Sequence, residues 1–277
     1  MAEFLSWDSY RIYEQSVKRK ARYVFEEHVD KFLQTVLATS ESRKRNVPAG
    51  RFLWRAQQGD HWETVCTDEE EFPEQQPLPP ERMKPLLHSA REGRVNPKGI
   101  PCLYLATDKD TAMAEIRPWI GSFISIGQFK TLKNIVLVDC FAEHPADILY
   151  HFYIKEPGPD EREKAVWTHI DHAFSEPVNP DESNADYAPT QILAEAFRSH
   201  GYDGVIYKSL LGKGSNVALF DIDIADLVNC CLYRVESVNF KFDQAGNPYF
   251  MRKHLEDKKK DDATSSDSGD STKAAPQ

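Results

Sequence analysis

Apolar residues fall along this chain in short runs separated by polar, Pro-marked or Gly-marked breaks, and their spacing assigns most elements. Phe25, Val29, Phe32 and Val36 step by four, three and four, with Leu33 and Leu37 alongside, which places an apolar stripe on one face of a helix. Residues 1–48 therefore read as a helical N-terminal extension. Its basic run (Lys18, Arg19, Lys20 and Arg22) fits a solvated helix face. Residues 40–50 are polar and end in Pro48-Ala49-Gly50, the marks of a linker.

Beyond the linker, residues 51–57 and 100–105 read as strands, and residues 134–141 as the clearest buried strand. Asp108 is placed to cap a helix over residues 109–116, which Pro118 closes. Residues 190–200 form an amphipathic helix with Gly201 as its terminating residue. Two further strands, 202–207 and 217–220, flank a loop with two glycines. Residues 68–82 are acidic with prolines at 73, 77, 79 and 80, and predict an exposed loop. From about residue 255 apolar residues almost vanish. Residues 256–277 are assigned to a disordered tail, leaving 49–255 as the main domain. Strands scattered among helices without βαβ alternation predict an α+β fold.

Composition narrows the function classes. The 277 residues carry 44 acids and 34 bases, a net charge of −10, which argues against direct binding to nucleic acid or an anionic membrane. No run approaches the roughly 18 apolar residues of a membrane span, and the first ten residues lack a secretory core. Five scattered cysteines suit reduced thiols in a cytoplasm. Metalloprotease, nucleophile-elbow, P-loop and dinucleotide glycine motifs are absent. His169 and His172 form a conceivable metal pair without further ligands, so no metal is expected.

The chemistry concentrates in residues 92–118. Arg94 follows Gly93 and precedes an Asn-Pro-Lys-Gly turn, a strand carries Tyr104, and Ala112, Met113 and Ile116 put Glu115 at the edge of an apolar helix face. A carboxylate there is either paired, with Arg117 or Arg94 as partner, or used.

The run Gly-Arg-Val-Asn-Pro-Lys-Gly-Ile-Pro-Cys-Leu-Tyr-Leu-Ala, with Glu115 eleven residues after Tyr104, resembles the RES domain family. Two further blocks agree in order. Upstream is Leu53-Trp54-Arg55-Ala56. Downstream lie residues 189–195, 201–209 and 216–220, the second ending in Lys208-Ser209. The likeness covers about residues 50–222. It implies an ADP-ribosyltransferase-like mixed, mainly antiparallel split sheet with flanking helices. It also implies an enzyme that cleaves the nicotinamide–ribose bond of NAD+ by phosphorolysis or hydrolysis, as the toxin of a toxin–antitoxin pair with an antitoxin protein as partner. ADP-ribosylation of a cellular protein, or a non-catalytic nucleotide- or partner-binding module, are the alternatives. On this resemblance Glu115 stabilises the ribose cation, Arg55 and Arg94 hold the diphosphate, Tyr104 stacks on the nicotinamide or ribose, and Ser209 bonds the ribose or amide. Gln57 is neutral where relatives carry a base, and Lys208 and Lys213 are candidates to replace that charge.

Overall fold

A computed structural model describes residues 3–66, 70–141, 156–176, 184–244 and 246. The tail assigned to 256–277 lies outside these. The chain divides into two compact units, residues 1–237 and 238–277, and the first contains every element named below.

Helices α1 (Ser9–Arg19) and α2 (Glu27–Ser40) open the chain, followed by a 3-10 turn at Glu41–Arg43 and strand β1 (Lys44–Val47). Strands β2 (Phe52–Gln58), β3 (His61–Cys66) and β4 (Glu71–Gln76) come next, then the short helix α3 (Pro80–Met83). Strand β5 (Leu103–Ala106) leads into helix α4 (Lys109–Glu115), and strands β6 (Phe123–Thr131) and β7 (Ile135–Asp139) follow. Helices α5 (Pro159–Ser175) and α6 (Ala188–Ser199) precede strands β8 (Gly204–Lys208), β9 (Ser215–Leu219) and β10 (Ala225–Arg234).

Eight strands form one sheet in the order β1-β7-β8-β9-β5-β2-β6-β10, and β3 and β4 form a separate hairpin. Every pairing in the large sheet is antiparallel except β7 with β8. The expected α+β class with a mainly antiparallel sheet and flanking helices is what the chain adopts. The split is visible in the register. β2 pairs with β6 over seven residues but meets β5 at a single pair, Trp54↔Ala106. The sheet is thus two half-sheets joined at one point.

Period-2 alternation divides the burial between the sheet's two faces. Val138, Val205 and Tyr207 join the largest core with Trp167, Ile170 and Phe174 of α5, Phe197 of α6, and Tyr13 and Phe32 from the N-terminal helices. Leu137, Ile206, Val217 and Leu219 belong to a second core that Met83, Ile222 and Ile224 complete. A third cluster packs Ala112 of α4 against Ala56, Ile124 and Ile126 of β2 and β6. No helix among the described residues is long and apolar enough to cross a membrane.

The local predictions for α4 and α6 have direct counterparts. The Asp108 carboxylate accepts from the Thr111 amide at 2.8 Å, and Gly201 ends α6 with φ +91°. Two polar segments behave differently from expectation. The predicted linker contains β1, which pairs with β7 through Lys44↔Val138 to Val47↔Ile135. Its charged side chains suit an edge strand and hide it from a hydrophobicity reading. The predicted acidic loop supplies β4, whose Phe72 lies opposite Val65, and Met83, wholly buried, follows directly after the loop's end. A few apolar residues in a polar stretch are enough to anchor it once a partner strand exists.

His169 and His172 both lie on α5 but face different neighbours. The His169 ring stacks on Trp7 and Tyr10, at 6.2 and 6.1 Å, while His172 is at 3.4 Å from Glu176. Among the described residues no group of His, Cys, Asp or Glu is arranged to hold a metal.

Two outcomes follow from this packing. Tyr13 is fully buried, stacks on Phe32 at 4.6 Å and donates to the Pro189 carbonyl at 2.6 Å. Tyr13→Ala is expected to lower unfolding free energy by about 3–5 kcal/mol in urea denaturation; a loss below about 1 kcal/mol would mean that α1 is not part of the main core. Burial pulls His169 from 6.5 down to about 4, so the unfolded chain binds the extra proton between those values. Stability therefore falls as the pH drops from 6.5 toward 4. The urea midpoint of wild type should fall more steeply over that window than that of His169→Phe; parallel profiles would refute the assignment.

Candidate functional site

At Trp54↔Ala106 the backbones of β2 and β5 part. The Arg55 side chain enters the opening, and its Nη1 donates to the Tyr104 carbonyl at 3.0 Å, taking the place of a ladder amide. Burial pulls the Arg55 guanidinium from 12.5 down to about 10, which leaves it charged at neutral pH. Its Nε is buried with no hydrogen-bond partner among the described residues. Two clefts adjoin here, of about 340 and 830 Å³, and Arg55 and Tyr104 line both.

The smaller cleft holds Glu115, the last residue of α4. The Ser209 hydroxyl donates to Glu115 Oε1 at 2.6 Å, and Asn216 Nδ2 donates to the same oxygen at 2.7 Å. Oε2 has no protein hydrogen bond among the described residues, so the carboxylate has one tethered and one open oxygen. Glu115 is exposed, at the end of a helix whose Thr111 and Ala112 are buried. No ion pair among the described residues joins it to Arg94 or Arg117; neutral donors hold it instead.

The loop between β8 and β9 is built to deliver Ser209. Ser209 is buried, and its Oγ accepts from the amides of Leu211 and Gly212 at 3.1 and 2.9 Å, a tight side-chain-closed turn. The loop lies directly on the first turn of α4. Gly214 donates to Thr111 Oγ1 at 2.9 Å, and Ser215 to Thr107 Oγ1 at 2.9 Å. A Cβ on Gly212 would stand 2.7 Å from the Thr111 Cα, and one on Gly214 would stand 1.8 Å from Asp108 Oδ2. The two glycines therefore permit contact between the serine loop and the glutamate helix. Lys208 and Lys213 are exposed and line neither cleft.

Tyr104 borders the site with its ring while its hydroxyl fastens the Arg94 loop. The hydroxyl donates to Asn96 Oδ1 at 2.7 Å and accepts from the Val95 amide at 2.9 Å. Burial pushes the phenol well above its usual range, so it remains a donor. A Cβ on Gly93 would come within 2.6 Å of that hydroxyl, which explains the glycine before Arg94. Gln191 of α6 adds bonds to the carbonyls of Gly93 and Asn96, at 2.9 and 3.1 Å.

Arg94 lines the same cleft, but each of its terminal nitrogens holds a backbone carbonyl. Nη1 donates to the Ala173 carbonyl at 2.8 Å and Nη2 to the Glu176 carbonyl, closing the C-terminal end of α5. The structure thus gathers Arg55, Arg94, Tyr104 and Glu115 around one cleft, with Ser209 against Glu115. Sequence reading passed over Asn216 and Tyr207, which also line it. The available signal for Asn216 was a polar residue opening the apolar run 217–220, in a strand buried on both faces.

The family model described as RES domain matches residues 52–243. No curated protein gives a significant sequence match. Among solved structures, a chain of the M. tuberculosis MbcT–MbcA toxin–antitoxin complex is similar at 12% identity and a TM-score of 0.36, covering 72% of this chain and 92% of its own.

Ser209 satisfies two amides and one carboxylate oxygen at once. Ser209→Ala is expected to cost about 1–3 kcal/mol of stability, measured by urea denaturation, because two backbone donors lose their acceptor. An unchanged midpoint would show that the loop does not depend on this turn.

Proposed function

The chain belongs to the RES domain family, and from that premise we propose that it cleaves the nicotinamide–ribose bond of NAD+, by phosphorolysis or hydrolysis. The observation that carries the reading is the Glu115 carboxylate, tethered through one oxygen and open through the other, in a cleft bordered by Arg55 and Tyr104.

Breaking this bond sends its electron pair to the nicotinamide nitrogen. That neutralises the pyridinium, so the leaving group needs no proton. Positive charge builds on the ribose instead, in an oxocarbenium-like transition state. A fixed carboxylate beside the ribose lowers that barrier, since it requires no reorganisation as the charge appears. Ser209 and Asn216 act through Glu115 by fixing its orientation, and both are positioning residues. The Ser209 hydroxyl donates to Glu115 while its oxygen accepts from two backbone amides, which suits this role and not that of a nucleophile. Arg55 holds substrate phosphate with the Nε that no protein group uses. Tyr104 offers its ring to the nicotinamide or ribose. Arg94 lines the same cleft and adds its charge without releasing the carbonyls it holds. Phosphate oxygen or water then attacks the ribose, giving ADP-ribose-1-phosphate or, with loss of a proton, ADP-ribose. No step requires a metal.

Such an activity drains a shared coenzyme, so the reading places this chain in a cytoplasm as the toxin of a toxin–antitoxin pair, with a protein antitoxin that blocks the cleft.

Proton NMR of NAD+ with the purified protein tests the reaction. Wild type is expected to release nicotinamide, and Glu115→Gln to slow release by about 10²–10³-fold at matched folded protein. Ser209→Ala and Asn216→Ala should each lower kcat by about tenfold, as expected for loss of one hydrogen bond to a charged group. ADP-ribose-1-phosphate appearing only with added phosphate makes the enzyme a phosphorylase; free ADP-ribose makes it a hydrolase. Full turnover by Glu115→Gln would remove the mechanism, and transfer of ADP-ribose onto protein in place of either product would replace it.

A further inference from the structure

The cleft of about 830 Å³ beyond Arg55 and Tyr104 has an electrostatic character opposite to that of the chain as a whole. Arg55, Arg82, Lys84 and Arg91 line it against the single carboxylate of Glu92, in a protein of net charge −10. Lys84 is paired with Asp223 and Asp226, at 3.5 and 3.3 Å. Arg82 and Arg91 differ. Their backbones are anchored: the carbonyls accept from Gln57 Nε2 at 2.6 Å and Asn96 Nδ2 at 3.0 Å, and the Arg82 amide donates to the Pro79 carbonyl at 2.9 Å. Neither guanidinium has a protein partner among the described residues, and both residues are exposed.

The same cleft carries an indole. Trp119 is 62% exposed on its wall. Its loop is not slack. Arg117 takes φ +48°, a left-handed conformation that non-glycine residues adopt at a cost, and its amide is bonded to the Ala114 carbonyl at 3.0 Å. Both the amide and the hydroxyl of Ser122 donate to the Trp119 carbonyl, at 3.1 and 2.7 Å. The backbone therefore holds a bare aromatic face beside two unpaired guanidinium groups.

Two forked cations match the oxygens of a diphosphate, and a fixed indole matches the face of a base. We propose that this cleft binds the adenosine diphosphate half of the dinucleotide, with Arg82 and Arg91 joining Arg55 on the diphosphate and Trp119 stacked on the adenine. The assignment rests on the reading that NAD+ is cleaved beside Glu115. Arg55, shared by both clefts, lies at the junction between the reacting ribose and the phosphates. The assignment supplies the charge that Arg94, bonded to the end of α5, provides only in part.

Isothermal titration of the full-length chain with ADP, and separately with inorganic phosphate, tests this, with circular dichroism confirming that each variant is folded. ADP is expected to bind wild type, and to bind Arg82→Gln/Arg91→Gln at least about tenfold more weakly. Trp119→Ala should weaken ADP by about fivefold or more through lost stacking, while inorganic phosphate binds wild type at least about tenfold more weakly than ADP. No ADP binding by wild type, unchanged affinity in the double variant, or equal affinity for inorganic phosphate would each overturn the assignment. Nicotinamide release from NAD+ in the same preparations separates the two readings. Release without ADP binding overturns the subsite and leaves the reaction standing. ADP binding weakened by the variants, without release, keeps the subsite and overturns the reaction.

Discussion

The hydrogen bond from Arg55 to the Tyr104 carbonyl is the contact around which the site is organised. A sheet that divides leaves backbone carbonyls without a ladder partner, and a buried carbonyl must find another donor. Water could fill the gap, but a guanidinium does so while staying attached to one edge and carrying charge into the opening. A hydrogen bond to a charged group contributes about 1.5–3 kcal/mol, which helps to offset the desolvation that draws Arg55 down to about 10. The single pair Trp54↔Ala106 fixes where the strands part, and the arginine next to it lines both clefts, as does Tyr104. The division of the sheet and the placement of the charge are one structural event.

Glu115 depends on a different constraint, contact between two segments about a hundred residues apart in sequence. Helix α4 begins with the Asp108 cap, and the β8–β9 loop lies on that first turn because Gly212 and Gly214 have no Cβ to hold it away. The loop then presents Ser209 to the other end of the same helix. Asn216 arrives from β9, which pairs with β5 through Ala106↔Asn216. Both donors choose Oε1, and the asymmetry that results is more informative than the proximity of the residues. A structural salt bridge would engage the carboxylate with a cation; this arrangement holds its orientation through neutral donors, with no ion pair to it among the described residues.

What the sequence revealed follows from which interactions are local. The α4 cap, the Gly201 terminator and the apolar strand at 135–139 each depend on a few neighbouring residues, so pattern alone finds them. β1 depends on a remote partner, β7, and β4 on the neighbouring β3, which is itself largely exposed; their own sequences are polar, so pattern alone reads them as linker and loop. The site shows the same division. Arg55, Arg94, Tyr104, Glu115 and Ser209 stand out through the resemblance to the RES family, but that resemblance gives no account of their bonds. The Tyr104 hydroxyl is committed to Asn96 and Val95, and Arg94 to the end of α5, through contacts that span up to 82 residues. Asn216 was missed because its role exists only once β9 lies beside β5.

The Arg94 contact also bears on where the functional unit begins. The family match starts at residue 52, beyond α1 and α2. Yet Arg94 is held by α5, and α5 packs in one core with the N-terminal helices. Trp167, Ile170 and Phe174 share one core with Tyr13, Val29 and Phe32, and the Trp167 indole donates to Thr39 Oγ1 at 3.1 Å. Val95 and Tyr207, neighbours of the cleft, belong to that same core. The packing thus runs without a break from α1 and α2 through α5 to the wall of the Glu115 cleft. Cores are close-packed, so a displacement of α1 or α2 would be transmitted to that wall. The extension outside the family match is therefore part of the structure that shapes the proposed site, and a boundary drawn by sequence similarity at residue 52 cuts through a single physical core.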